Sequence, residues 1–301
     1  MQDQAEKLRQ LVGKISSPHL LDMSSGSAGS CRIVAITSGK GGVGKTNISV
    51  NFGLALAKKG KRVLLMDADM GLANVDVMMG IIPPNTLFDV LTGKKQLSEI
   101  IIEGPLGLRL VASGSGGIQE LAELTDVQRN RFLQDLLELQ NREDVILIDT
   151  GAGLHRNVLA FVLAAEEVIV VTTPEPTALM DAYGMIKTIY REKKNPVISV
   201  VVNMASNPAE GEEAGRKLVV LSKRFLSLEV NYIGSILRDM GMVRAVKEQN
   251  PILLSSPMSP AALGLTRIAE TYFSGKIYSG DGNLSQFFKK VTLLFGGHGH
   301  G

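Results

Sequence analysis

Cysteine is almost absent from this chain of 301 residues, because Cys31 is its only one. A single cysteine forms no intramolecular disulfide and supplies no thiolate cage for a metal, which is typical of a reducing cytoplasm. The chain also lacks an apolar run of about 18 residues, and charged residues stand near its start, where a signal peptide needs an apolar core. We therefore expect a cytoplasmic protein that is neither exported nor transmembrane.

An excess of one charge sign is also missing: 32 Lys and Arg against 30 Asp and Glu leave a net charge of +2. That balance excludes a uniformly basic polyanion binder, so any basic surface is local. Hydrophobic residues at 45% and charged residues at 21% exclude an extended disordered protein. The length suits one large α/β domain with short appendages. The 32 glycines exceed the usual share of about 7%, which directs attention to glycine-rich loops.

Short runs rich in β-branched residues and leucine alternate with helical stretches along the chain. Several of these runs lack polar and apolar alternation, as strands covered on both faces do. The predicted strands are Arg32–Thr37, Arg62–Met66, Leu108–Ala112, Val145–Ile148, Glu167–Thr172, Val197–Val202 and Val230–Ile236. The predicted helices are Asn47–Lys59, Asp126–Gln140, Asn157–Ala164, Ala178–Glu192, Gly211–Phe225 and Pro260–Phe273. Parallel neighbours need crossover helices, so this order predicts a mostly parallel, doubly wound α/β sheet with ligands beyond the carboxyl ends of its strands.

A glycine-rich loop follows the first predicted strand and opens the first predicted helix, and it fits the P-loop pattern G-x-x-x-x-G-K-[ST]. The residues predicted to bind ATP here are Gly39, Lys40, Gly41, Gly42, Val43, Gly44, Lys45, Thr46 and Asn47. In such a loop, backbone N–H groups surround phosphate oxygens, the lysine reaches the terminal phosphates and the threonine binds magnesium. The same glycines also spell G-x-G-x-x-G, the dinucleotide pattern. Lys45 and Thr46 favour a triphosphate with a metal, because a dinucleotide loop has no use for them.

Carboxylates end two of the other predicted strands, at the edge where the P-loop lies. Asp149 is expected to hold Mg²⁺ through water, opposite Thr46. Gly151 and Gly153 follow and form a candidate switch that responds to the γ-phosphate. Asp67 and Asp69 are expected to position magnesium or the attacking water, and a ribose contact or helix capping is the alternative.

The extra lysine at position 40 gives Lys40-Gly-Gly-Val-Gly-Lys-Thr46, which resembles the loop of the deviant Walker A ATPases of the MinD/ParA group. The resemblance covers about residues 31–275 and continues through Asp67-Ala-Asp-Met-Gly71, Asp149-Thr-Gly-Ala-Gly153 and Asn203.

This resemblance implies an ATPase that dimerises with ATP. Lys40 would touch phosphates bound by the partner subunit, Asp69 would orient the attacking water, and Asn203 would contact adenine, with Arg238 among the ATP-binding residues. A second cation supplied only by the partner stabilises charge on the γ-phosphate and so couples hydrolysis to dimerisation. The chain has no N-K-x-D guanine signature, which is consistent with ATP.

The N-terminus narrows the resemblance. Asp3, Gln4, Ala5, Leu8 and Arg9 match the DQAxxLR element of the FlhG (YlxH or FleN) family, which governs flagellar number and placement. The family implies that this segment stimulates FlhF, a GTPase related to those of the signal-recognition particle, and that flagellar switch (C-ring) proteins are further partners. Without the family resemblance, the segment shows one apolar helical face. That face is offered to another protein or, as the alternative, docks on its own domain.

Near the C-terminus an apolar stripe follows helical spacing, with Asn283 as a predicted N-cap. The stripe and its flanking lysines are Leu284, Phe287, Phe288, Lys289, Lys290, Val291, Leu294 and Phe295. Twelve residues make a helix about 18 Å long, too short for a hydrocarbon core of about 30 Å. We expect this helix to lie on an anionic membrane, weakly as one copy and strongly as two on a dimer. Packing on the core of the domain is the alternative.

These features divide the chain into an ATPase domain with shorter segments at both ends. The segments are a partner-activating motif at 1–22, a linker at 23–30, the domain at 31–275, a linker at 276–282, the membrane-targeting helix at 283–296 and a tail at 297–301. A MinD-like division-site selector is the closest alternative function, and the N-terminal extension counts against it. A DNA-binding ParA role needs a basic surface, but the clusters at 58–62 and 191–194 are typical of solvated helix ends, so we expect no DNA binding.

Overall fold

The computed structural model describes residues 31–69, 74–114, 126–274 and 283–296. The predicted N-terminal motif at 1–22, both predicted linkers at 23–30 and 276–282, and the tail at 297–301 lie outside these ranges. So do Met70 and Gly71 of the acidic segment after the second strand.

One sheet of eight strands organises the described residues, in the order β3-β4-β2-β5-β1-β6-β7-β8. The strands are β1 Arg32–Ser38, β2 Val63–Ala68, β3 Ile102–Glu103, β4 Arg109–Val111, β5 Val145–Ala152, β6 Glu167–Thr172, β7 Val197–Ala205 and β8 Asn231–Leu237. Every pairing is parallel except that of β3 with β4. The doubly wound sheet is therefore confirmed. Strand β3 was not predicted, because two residues carry no readable pattern.

Helices connect the strands on both faces of the sheet. They are α1 Lys45–Lys58, α2 Val75–Met79, α3 Leu87–Leu91, α4 Asp126–Gln140, α5 Arg156–Ala164, α6 Pro176–Glu192, α7 Pro208–Leu226, α8 Met240–Lys247, α9 Ile252–Ser255, α10 Pro260–Ser274 and α11 Leu284–Gly296. The six helices predicted within the domain are confirmed to within a few residues. The short helices α2, α3, α8 and α9 were missed, since fewer than three turns give little periodicity to read.

Two apolar layers fill the space between the sheet and its helices. One layer packs α1, α8, α9 and α10 against one face, and the other packs α4 to α7 against the opposite face. Strands β1, β2, β5 and β6 are almost wholly buried, which explains their continuous apolar runs. Because the parallel strands point the same way, the segments that follow them meet at one edge of the sheet.

Helix α11 lies on the second layer, against α4 and α5. Asn283 caps it as predicted, accepting a hydrogen bond from the backbone N–H of Gln286 at 2.9 Å. Its stripe residues Leu284, Phe287, Phe288 and Val291 are each at most 2% exposed. The helix is therefore confirmed, and in this arrangement that part of its apolar face is covered by protein. The side chains of Leu294 and Phe295 lie outside what the structure describes.

The rings of α11 pack on phenylalanines of both neighbouring helices. Phe288 meets Phe132 of α4 edge to face at 5.1 Å, and Phe287 lies 6.1 Å from Phe161 of α5, measured between ring centroids. None of the helices in the described ranges has both the length and the apolar character that crossing a bilayer requires.

Candidate nucleotide-binding site

The glycine loop at 39–44 joins β1 to α1 at the carboxyl edge of the sheet. Gly44 adopts a left-handed backbone, with φ at 84°, directly before the helix begins. A Cβ atom there would stand 2.4 Å from Nδ2 of Asn203, and one at Gly39 would stand 2.3 Å from the backbone carbonyl of Asp181. Glycine is thus required at both positions, because a side chain would strike β7 at one and α6 at the other.

Asp149 is the centre of the polar contacts behind this loop. Its side chain is fully buried and accepts hydrogen bonds from Lys45 Nζ at 3.0 Å and Thr46 Oγ1 at 2.8 Å. A third donor, Ser49 Oγ, lies 2.6 Å from the same carboxylate. The structure therefore brings together the lysine, threonine and aspartate that the sequence predicted to act together. Asn47 lies in the first turn of α1, where its carbonyl oxygen accepts from Asn51 Nδ2 at 2.8 Å.

Asp67 stands beside Asp149 in the paired strands β2 and β5. Its Oδ1 accepts the backbone N–H of Asp69 at 2.9 Å, and its Oδ2 accepts that of Asn74 at 3.0 Å and that of Val75 at 3.3 Å. Burial raises the pKa of the Asp67 carboxyl from 3.8 to about 6, and the nearby Asp149 charge adds to the rise. In this arrangement Asp67 anchors the start of α2, which is the capping alternative, and its catalytic role stays a prediction.

The candidate switch residues lie between Asp149 and the P-loop. The backbone N–H of Gly153 donates to the carbonyl oxygen of Ser38 at 2.9 Å, and Gly153 takes a φ of 87°. A Cβ atom at Gly151 would stand 3.5 Å from Oδ1 of Asp69. The segment thus touches both the strand that leads into the P-loop and the carboxylate predicted to orient water.

Asn203, predicted to contact adenine, and Arg238, predicted to bind ATP, lie on the other side of the loop. Asn203 Nδ2 donates to the carbonyl oxygen of Val43 at 2.8 Å, so β7 and the P-loop are directly connected. Next to them is a cavity of about 230 Å³ at the carboxyl ends of β6, β7 and β8. It is lined by Thr173, Pro174, Glu175, Pro176, Met204, Ser206, Glu210 and Arg238. Arg238 thus lines a recess at the same edge of the sheet as Asn203, and its contact with ATP stays a prediction.

The two lysines of the loop have different surroundings. The Lys45 side chain is 7% exposed and is bound to Asp149, whereas that of Lys40 is 33% exposed. Lys40 Nζ lies 3.0 Å from Glu175 Oε2 and 3.3 Å from Thr177 Oγ1 at the start of α6. One lysine therefore belongs to the interior of the site and the other to its outer surface.

Two groups of the site were missed by sequence reasoning. Glu175, which holds Lys40, lies more than a hundred residues away in the chain, and no motif marks it. Ser49 follows Lys45 by one helical turn, so helical geometry could have put it on the same face of α1.

The donor set fits a magnesium nucleotide. Hydroxyl and carboxylate oxygens, as on Thr46 and Asp149, are the ligands that Mg²⁺ prefers. The Lys45 ammonium, now on Asp149, is a cation of the kind that binds phosphate. The dinucleotide alternative fits less well, since the oxygens of Asp67 are taken by backbone N–H groups.

Comparisons with known proteins agree with this geometry. The sequence profile of the AAA domain family matches residues 31–200. The antiactivator FleN of Pseudomonas aeruginosa is 41% identical over 245 residues, which cover 81% of this chain and 87% of FleN. The chain belongs to the MinD/ParA family of P-loop ATPases.

Two further comparisons place it within this family. The flagellum site-determining protein YlxH of Helicobacter pylori is 33% identical over 98% of this chain and 100% of YlxH. The structure of the septum site-determining protein MinD from Pyrococcus horikoshii with Mg-ADP superposes with a TM-score of 0.66 at 25% identity, covering 83% of this chain and 99% of MinD. The chain is thus a FleN/YlxH-like member of the MinD/ParA ATPases.

Proposed function

We propose that this protein is an ATP-hydrolysing switch that dimerises with ATP, associates with the membrane and controls flagellar number and placement. The observation that carries the proposal is the pair of P-loop lysines, one bound inside the site and one held at its rim. The similarity to the antiactivator FleN and to the flagellum site-determining protein YlxH supports the flagellar output.

Lys40 is suited to serve a second subunit. Its contact with Glu175 is an exposed ion pair, with side chains 33% and 62% exposed. Exposed pairs of this kind contribute roughly 0 to 1 kcal/mol, so exchanging Glu175 for phosphate costs little. Lys40 would then add positive charge to the γ-phosphate only in the dimer, where charge develops during transfer.

The remaining residues divide the chemistry of the site between them. Backbone N–H groups of residues 41–46 and the Lys45 ammonium bind the phosphates. Thr46 and Asp149 would hold Mg²⁺, which supplies neutralising charge to the phosphate oxygens when bound. Asp69 orients the attacking water, and its backbone N–H is already fixed on Asp67 at 2.9 Å. Asn203 and Arg238 flank the adenine.

Membrane association requires α11 to leave its present position. Four of its stripe side chains are buried, so the docked helix presents Lys289 and Lys290 to solvent and keeps that part of its apolar face on α4 and α5. We propose that on the membrane lipid replaces α4 and α5 as the cover of the apolar face of α11. Two copies on an ATP dimer bind together more strongly than one, because the second binds at high effective concentration.

The N-terminal segment is the proposed partner-activating element. The similarity to YlxH spans 98% of the chain and therefore extends beyond the ATPase domain into both ends. This supports a function for residues 1–22 in common with YlxH. The proposed partners are the GTPase FlhF, through that segment, and the flagellar switch proteins.

The basic stretch at 58–62 does not favour DNA as a partner. Lys59 pairs with Glu270 at 2.9 Å, Arg62 pairs with Asp144 at 2.7 Å, and Lys61 lies 4.8 Å from the centre of the Phe273 ring. The cluster lies at the amino edge of the sheet, opposite the nucleotide site.

Light scattering with ATP and magnesium, compared with ADP, tests the dimer. Wild type is expected to double in mass with ATP, Lys40→Ala to stay monomeric, and Asp69→Ala to remain dimeric for longer because hydrolysis slows. Lys59→Ala, an exposed lysine at the other edge of the sheet, is the control. A Lys40→Ala protein that dimerises like wild type would contradict the role of Lys40.

Sedimentation with anionic liposomes tests the membrane step. The full chain is expected to pellet with ATP and magnesium and to stay in solution with ADP, and a chain that ends at residue 283 should not pellet. Absence of pelleting with both nucleotides would remove the membrane from the proposal.

A GTPase assay with FlhF tests the N-terminal segment. Stimulation of GTP hydrolysis by FlhF is expected with the full chain and should be lost without residues 1–22.

A further inference from the structure

Ser49 is a buried hydroxyl on α1 to which the family motif gives no role. Ser49 is fully buried, and its Oγ lies 2.6 Å from Oδ1 of Asp149. The other acceptor within reach is the carbonyl oxygen of Lys45, one turn earlier in the same helix, at 3.2 Å. A hydroxyl has one proton to donate, and a length of 2.5 to 2.7 Å is that of a bond to an ionised carboxylate. The proton of Ser49 therefore belongs to Asp149.

The three donors of Asp149 differ in what a bound nucleotide asks of them. Lys45 and Ser49 share Oδ1, and Thr46 occupies Oδ2. Phosphate recruits the lysine of a P-loop, and the metal recruits its threonine hydroxyl. Ser49 alone among these donors has no ligand to serve. It therefore stays on Oδ1 when the other two leave.

We propose that Ser49 is a positioning residue that fixes the Asp149 carboxylate for Mg²⁺. By holding Oδ1, it leaves Oδ2 on the side of Thr46, where the two groups can act on one metal ion. It also keeps one hydrogen bond on a fully buried charge at the moment when the lysine is withdrawn. This inference rests on the proposed function, since it concerns the magnesium step of nucleotide binding.

Binding of a fluorescent ADP to the full-length protein, with EDTA and then across a magnesium titration, isolates that step. Ser49→Ala is expected to bind the nucleotide like wild type in EDTA. The magnesium concentration that gives half of the magnesium-dependent gain in affinity should be at least about tenfold higher than for wild type. The reason is that a hydrogen bond to a charged group is lost. Ser49→Cys keeps a weak donor in a somewhat larger side chain and should fall between the two. Ser222→Ala removes another fully buried serine hydroxyl, which has no hydrogen-bond partner among the residues that the structure describes, and should match wild type.

The outcomes separate this inference from the function beneath it. A wild type without any magnesium-dependent gain in affinity would overturn the proposed function and the role of Ser49 together. A wild type with that gain and a Ser49→Ala variant with the same magnesium requirement would overturn the role of Ser49 alone. Equal losses in EDTA and in magnesium would also overturn it, because they would mark a merely structural residue. Thermal unfolding checks the fold, and Ser49→Cys serves as the test if the alanine variant does not fold.

Discussion

The nucleotide edge of the sheet and the docked helix α11 are both buried, but by opposite chemistry. At the edge, Asp149 is fully buried among one ammonium and two hydroxyl groups. Under α11, phenylalanines pack on phenylalanines. In each region protein groups make a contact that a ligand of the same chemistry can take over. The Asp149 carboxylate binds Lys45, which phosphate would draw to itself. The surface of α4 and α5 covers the apolar face of α11, which lipid would otherwise cover.

The difference predicts how each region breaks. A charged partner removed from the edge leaves a buried charge behind, and that penalty is large. An apolar side chain removed from α11 weakens a contact that the helix can give up as a unit. Damage at the edge should therefore affect the stability and ligand binding of the whole domain, whereas damage under α11 should release one helix.

Lys45→Ala is expected to have the largest effect. It removes the cation of a pair whose side chains are 7% and 0% exposed, so the free energy of unfolding should fall by about 3 kcal/mol or more. Nucleotide binding should weaken at least about a hundredfold, because a charge-assisted phosphate contact is lost. Urea denaturation and fluorescent nucleotide binding measure both. Lys59→Ala breaks an exposed pair and should cost less than about 1 kcal/mol. Equal losses in the two variants would remove the contrast between buried and surface pairs.

Phe288→Ala tests the other region. Loss of a buried phenylalanine costs about 3 to 5 kcal/mol, but the loss here is limited to the free energy with which α11 docks. Amide exchange in α11 should rise by up to about a hundredfold while the sheet stays protected. Phe52→Ala is the matched control, since Phe52 is equally buried and meets Tyr272 edge to face at 5.4 Å. It should lower the global free energy of unfolding. A global loss from Phe288→Ala would mean that α11 is part of the cooperative core.

The two regions also differ in how far their sequences predicted them. The P-loop pattern, between a predicted strand and a predicted helix, was enough to predict that Lys45, Thr46 and Asp149 act together, because phosphate and metal binding constrain each of those residues. The stripe of α11 predicted a helix and its N-cap but not its surroundings, since an apolar face is the same for lipid and for protein. Contacts such as Lys40 with Glu175, or Ser49 with Asp149, depend on tertiary packing that no local pattern contains.

Asp67→Asn should change how the stability of the edge depends on pH. The pKa of Asp67 rises from 3.8 to about 6 on folding, so its contribution to stability is full below about pH 4 and is lost as pH rises through 6. Between pH 4.5 and pH 7, wild type without nucleotide or metal should lose about 2 kcal/mol relative to the asparagine variant. Urea denaturation of both proteins at pH 4.5 and 7 measures the difference. A constant difference across that range would show that Asp67 carries its charge at little penalty.

Lys290→Gln should have the smallest effect, and it concerns the balance between the docked and the lipid-bound helix. Lys193 donates to the backbone carbonyl oxygens of Ala165 and Glu166 at the end of α5. Burial, and then the nearby charge of Lys290, lower the pKa of Lys193 to about 8. Removing the Lys290 charge should therefore strengthen docking, raising amide protection in α11 by about twofold to threefold, the size of an exposed charge interaction.

Lys289→Gln is the matched control for that effect, because Lys289 is not among the charges that shift Lys193. Both variants remove one positive charge that would face anionic lipid, so both should pellet less with liposomes at low salt. Only Lys290→Gln should also change exchange in α11. Equal exchange in the two variants would mean that the repulsion between Lys193 and Lys290 does not oppose docking, and the docked state would then be governed by its apolar contacts alone.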